Sequence, residues 1–170
     1  KEKNSDLPLK KQMEIAQAVG IGAIRFPMIS RESNKVVTFD WESALDFNGQ
    51  AAPYIQYAYV RANSILRKGG GEVPDATAPD YALTEQEIAL VDLISRLPQE
   101  VAKAARDLKP LVLTNYSYEL ARAFNDFYTQ CPVLIAEGKQ RNIRIRLVAA
   151  ARQTIANSLA ILGITAPQAM

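Results

Sequence analysis

Residues 47–68 read FNGQAAPYIQYAYVRANSILRK, a stretch with a clear helical pattern. Pro53 sits where a first helical turn would begin, a position that needs no N–H donor and favours the fixed φ of proline. From there Ile55, Ala58, Tyr59, Ala62 and then Ile65 or Leu66 recur at three- and four-residue spacing, which predicts a helix with one buried stripe. Tyr54, Tyr57, Arg61 and Ser64 follow the same period on another side. Rings beside a guanidinium on an outward side suit stacking on unpaired bases and holding a phosphate. They equally suit ordinary amphipathic packing.

Helical periodicity continues in both directions. After Pro8, the residues Met13, Ala16, Gly20 and Ala23 form a face small enough for a close neighbour, and Pro27 is expected to end or bend that helix. KVVTFD at 35–40 is too short to found a sheet and reads as an extended connector. A short helix should follow over 40–47, capped by Asp40. GGGEVPDATAPD at 69–80 is unpatterned and reads as a flexible surface loop. It lacks the Lys-Ser/Thr ending of a phosphate-binding loop. Thr84 and Glu87 make a capping box. Pro98 is expected to interrupt the helix they open, with a second one over 99–108.

Pro110 then starts a long helix with the stripe Leu113, Tyr116 or Ser117, Leu120, Phe124, Phe127 and Cys131, which Pro132 should end or kink. The last helix is expected over about 139–162, burying Ile143, Leu147, Ala151, Ile155 and Leu162, with Gly163 as its cap. The fold class is therefore all-α, a helical bundle with one long Gly/Pro-rich loop.

Composition limits the chemistry. The chain has 170 residues, no histidine and one cysteine. Without histidine there is no Ser-His-Asp triad and no imidazole metal site, and one thiol makes neither an intrachain disulfide nor a thiolate zinc site. Cys131 lies on an apolar stripe and reads as a core residue. No catalytic residue and no metal ligand is expected. No signal peptide or membrane span is read, and the cytoplasm is the expected compartment. The absence of an initiator Met points to a piece of a longer protein.

Charge is unevenly spread. The net charge is +2, yet residues 138–170 carry Lys139, Arg141, Arg144, Arg146 and Arg152 with no acidic residue, a local +5. Arg141 and Arg152 are about three turns apart and share a face, a candidate contact for a polyanion. Arg144 lies nearer the apolar side, where pairing with a carboxylate of the body is the alternative.

Several spaced strings resemble one family. FNGQAAPYIQYAYVRANSILRK (47–68) is similar to the start of the anticodon-binding domain of arginyl-tRNA synthetases. YELARAFNDFYTQCPVL (118–134), RLVAAARQTIANSLAILGI (146–164) and the terminal Pro-x-x-Met resemble the other end of that domain. AVGIGAIRFPMIS and VTFDWESAL resemble the connector from the catalytic domain. The resemblance implies a connector over 1–46 and an anticodon-binding bundle of the class I DALR type over 47–170. It implies that Tyr54, Gln56, Tyr57 and Arg61 face the anticodon loop of arginine tRNA, with Tyr128 and Met170 near its bases and Gln56 supplying amide groups to base edges. Ala169 stands where the family has a basic residue, and Pro132 where some members have an aromatic.

The parent enzyme would be a monomeric ligase joining arginine to tRNA with ATP and magnesium. Its catalytic domain, in the same chain, would be this segment's neighbour, and no cofactor would bind the segment itself. Two other readings remain open at this point: a helical protein-interaction module without an RNA role, and the anticodon domain of another class I synthetase, such as the cysteine enzyme.

Overall fold

The computed structural model describes residues 7–75 and 78–170. Residues 1–6 of the expected connector and 76–77 of the expected loop lie outside the described residues. Among the described residues there are six helices and no strand: α1 (Leu9–Ile29), α2 (Trp41–Ala44), α3 (Ala52–Lys68), α4 (Glu85–Arg106), α5 (Pro110–Gln130) and α6 (Gly138–Ile161). None of these helices is long and apolar enough to cross a membrane.

Helix α3 behaves as its period predicts. Its stripe of Ile55, Ala58, Tyr59, Ala62, Ile65 and Leu66 is buried as the spacing predicts, and it packs on α1, α5 and α6. Helix α5 likewise buries its predicted stripe, with both Tyr116 and Ser117 inside, and ends at Gln130 ahead of Pro132. The capping box of α4 is complete: the Thr84 hydroxyl accepts from the Glu87 N–H, and the Glu87 carboxylate accepts from the Thr84 N–H. Asp40 caps α2 through its carboxylate, which accepts from the Ser43 hydroxyl and N–H at 2.7 and 2.8 Å. Those two bonds, the hydroxyl's first, hold the Asp40 carboxyl below the usual carboxylate range. The helix is one short turn rather than the expected 40–47.

Two prolines do not break their helices. Helix α4 runs through Pro98 to Arg106. An interior proline costs about 3 kcal/mol in helix propensity, and tertiary packing offsets it. Leu93, Ile94, Leu97, Val101 and Ala104 pack against the core on both sides of Pro98. The buried Tyr116 hydroxyl also donates to the Leu93 carbonyl at 2.8 Å, just before the proline disturbs the ladder. Pro27 similarly lies inside α1, which ends two residues later at Ile29.

Two buried faces differ from expectation. In α6 the inward residues are Arg144, Ile145, Val148, Ala151, Thr154, Ile155, Ser158 and Leu159, while Ile143 and Leu147 are only half-buried. Ala151, Ile155 and Leu162 are buried as expected, but the seam also takes polar side chains with partners inside, which apolar period alone does not pick out. In α1 the buried residues are Ala18, Gly22, Ala23 and Phe26. The close approach expected at Gly20 occurs at Gly22, where a Cβ would lie 3.2 Å from each of Ala52 Cβ, Gln56 Nε2 and Ile164 Cγ2.

The triple glycine is a helix cap. Gly70, at φ 108°, donates to the Arg67 carbonyl, and Gly71 donates to that of Leu66, which closes α3 with a Schellman motif. Gly163 closes α6 in the same way.

Candidate nucleic-acid interface

Burial of one side of α3 sets what its other side can present. Tyr57 and Arg61, one turn apart, turn toward the last turn of α5. The Arg61 guanidinium carbon lies 4.8 Å from the Tyr57 ring centroid and 5.3 Å from that of Tyr128. Arg61 Nη1 donates to Asn125 Oδ1 at 2.9 Å, which fixes the plane of the guanidinium. Phe47 meets Tyr57 edge-on with centroids 6.4 Å apart. Tyr128 keeps 42% of its surface exposed. The result is an aromatic–cation–aromatic stack at the surface, joining residues far apart in sequence.

Two hollows flank this stack. The smaller, about 250 Å³, is lined by Tyr57, Arg61, Ser64, Lys68, Tyr128 and Leu134 among others. The larger, about 1080 Å³, runs past Tyr57 and Arg61 between α1 and α2, with Met13, Trp41, Phe47 and Met170 in its walls. Both offer apolar and aromatic surface beside Arg61, joined by Lys68 in the smaller one, the combination that takes unstacked bases. A third hollow, about 740 Å³ between α4 and α5, is lined by Glu85, Asp92, Glu119 and Asp126 against Arg96 and Arg122. Its excess of carboxylates is the wrong sign for a phosphate backbone.

The structure brings together Tyr57, Arg61, Tyr128 and Met170, and it sets the other expected residues apart. Tyr54 packs against Tyr118, ring centroids 5.3 Å apart, away from the stack. Gln56 is fully buried, and its Nε2 donates to the Ala18 and Thr165 carbonyls at 3.1 and 2.7 Å. Its amide is thus engaged inside the protein rather than presented at the surface. Arg141 and Arg152 both lean on α3, donating to Gly69 O at 3.1 Å and to Asn63 Oδ1 at 3.4 Å. Phe47, Trp41, Lys68 and Asn125 join the site without having been singled out as site residues. Of these, only Phe47 carried a signal, as the aromatic two residues before Gly49.

The basic residues of α6 are engaged with the protein. Arg144 pairs with Glu87 at 2.8 Å, the two side chains 7% and 0% exposed, so the carboxylate alternative is the one realised. Arg144 Nη1 also donates to the Pro132 carbonyl at 2.8 Å. Burial pushes the Glu87 carboxyl up, but hydrogen bonds from Arg144, the Thr84 N–H and the Tyr81 hydroxyl outweigh this and hold it below the usual range. The Tyr81 phenol is pushed up to about 12 by burial first, then by its bond to Glu87. Arg146 donates to the Pro74 carbonyl, and Lys139 pairs with Asp80 at 3.4 Å. With Arg141 on Gly69, these contacts pin the described parts of the 69–80 segment to α6. No group of three or more His, Cys, Asp or Glu comes together among the described residues to hold a metal ion.

Residues 55–170 match the model of the DALR anticodon binding domain. The chain is similar to the arginine–tRNA ligase of Pyrococcus abyssi, 45% identical over 99% of this chain and 28% of that protein. The ligase of Methanocella arvoryzae is also 45% identical, over 99% of this chain and 30% of that protein. Among solved structures, Thermus thermophilus arginyl-tRNA synthetase superimposes with a TM-score of 0.89 at 39% identity, over 99% of this chain and 29% of that one. A Plasmodium falciparum arginyl-tRNA synthetase, at 22% identity and a TM-score of 0.82, shares the fold. The chain thus spans less than a third of the length of these relatives.

Proposed function

We propose, from the premise that this chain belongs to the DALR anticodon-binding domain family, that it recognises the anticodon loop of arginine tRNA within an arginyl-tRNA synthetase. The observation that carries this reading is the Arg61 guanidinium held between the Tyr57 and Tyr128 rings, with Met170 in the adjoining groove. An anticodon loop offers splayed bases on a bent backbone. Tyr57 and Tyr128 are placed to stack on such bases, and Arg61 to meet a phosphate between them. Stacking tolerates any base, so discrimination rests on polar groups at the rims of the two hollows, Ser64 and Lys68 in the smaller one.

On this reading the longer protein is a monomeric cytoplasmic ligase that joins arginine to tRNA, and ATP and magnesium act in its catalytic portion. Residues 1–46 would be the connector to that portion and 47–170 the recognition bundle. The protein-interaction module and the other class I synthetases have less support, since arginine–tRNA ligases match along nearly the whole chain. Titration of labelled arginine tRNA with the chain tests the proposal. Saturable binding that weakens at least tenfold for an anticodon-mutated tRNA is the expected result; equal binding of both would refute it.

A further inference from the structure

Gln56 stands in the motif that carries the resemblance, yet it touches no surface. One amide nitrogen donates both its hydrogens to carbonyls on two other segments: Ala18 on α1 and Thr165 on the terminal segment. Its Oε1 is buried without a hydrogen-bond partner. Turning the amide over would point that oxygen at two carbonyl oxygens, so the observed orientation is the only favourable one. A hydrocarbon side chain would remove the unpaired Oε1 but would also take the donor away from the Ala18 and Thr165 carbonyls. What the amide adds is the link between α1, α3 and the terminal segment.

That segment is strapped at further points. Arg25 on α1 donates to the Gly163 carbonyl, Gln168 donates to the Tyr59 hydroxyl at 3.3 Å, and Ile164 is buried against the core. Six residues on from Gly163, the chain reaches Ala169 and then Met170, in the wall of the groove beside Tyr57 and Arg61. We propose that Gln56 is a positioning residue: its amide ties the terminal segment to α1 and so holds Met170 in the groove wall. The importance of Met170 to RNA rests on the function proposed above, whereas the strap itself does not.

The chain has three methionines, Met13, Met28 and Met170, which suits labelling of the ε-methyl carbons. Met13 lines the same groove from α1 and reports whether that side is intact. In Gln56→Met, read with a matched Met170→Ala variant for assignment, the Met170 methyl signal should collapse to its random-coil position while Met13 and Met28 keep theirs. RNA affinity should fall by the same factor, about tenfold, in Gln56→Leu, in Met170→Ala and in the double variant. If Gln56→Met unfolds the chain, shifting the signals of all three native methionines, the shorter amide of Gln56→Asn, which cannot span the Ala18 and Thr165 carbonyls together, carries the test, and selective loss of the Met170 signal is again expected. A Met170 signal unchanged in the variant that folds overturns the proposal. Selective collapse with undiminished RNA binding by Met170→Ala supports the strap and removes Met170 from the RNA surface.

Discussion

Helices α3 and α6 both carry arginines, and they use them in opposite ways. Arg61 on α3 sits between two aromatic rings beside open hollows. On α6, Arg141 and Arg146 hold backbone carbonyls, Arg152 an asparagine and Arg144 a buried carboxylate. The helix with more charge holds the bundle together, and the helix with less presents the proposed site. A run of basic residues is therefore a poor locator of a binding surface; what each guanidinium touches decides.

The largest effect expected from this contrast is on stability. Arg144→Ala leaves Glu87 buried without its partner and should cost about 3–5 kcal/mol in urea denaturation, while the folded fraction still binds RNA. A loss below 1 kcal/mol would mean that α6 is not held by this pair. The pair also gives a pH signature. The folded Glu87 pKa lies below its ordinary value of 4.5, so its stabilisation is present above that value and drains away as pH falls through the folded pKa. Glu87→Gln should remove this component of acid sensitivity, measured as the urea midpoint from pH 6 to pH 3.

Next comes the stack. Tyr57→Ala and Tyr128→Ala should each weaken RNA binding by ~1–3 kcal/mol if each ring carries one base. Tyr54→Ala should instead lower the melting temperature through the lost Tyr118 contact and leave affinity unchanged. The reverse pattern would move the site to the Tyr54 side. The smallest effect is on salt dependence. Arg61→Ala should flatten the plot of log affinity against log salt by about 0.7, one phosphate on a single strand. Arg141→Ala and Arg152→Ala should leave that slope as it is; a slope change in those two but not in Arg61→Ala would invert the contrast.

Much of this was legible in sequence where one local rule governed. The stripes of α3 and α5 keep a strict period and were readable, as was the Thr84–Glu87 capping box. The α6 seam was readable only in part: Ala151 and Ile155 lie on it as expected, but Arg144 is buried against Glu87 of a distant helix, and Thr154 and Ser158 are buried with their hydroxyls bonded to carbonyls of α6 itself. Pro98 was misread for a related reason: packing against the core and the distant Tyr116 hydroxyl offset its local cost. Within the site, Tyr57 and Arg61 follow from helical spacing and Tyr128 from its place on the last turn before Pro132, while Met170 came with the resemblance. The burial of Gln56 was not legible because its acceptors lie 38 and 109 residues away. Residue type alone does not separate an amide that reads RNA from one that ties three segments together.

Where RNA touches the chain matters most, and photocrosslinking reads that directly. An arginine-tRNA anticodon hairpin carrying 5-iodopyrimidines in its loop, irradiated with the chain and mapped by mass spectrometry, should attach to Tyr57 and Tyr128. Attachment confined to α6 or to the α4–α5 hollow, with both tyrosines unmodified, would contradict it.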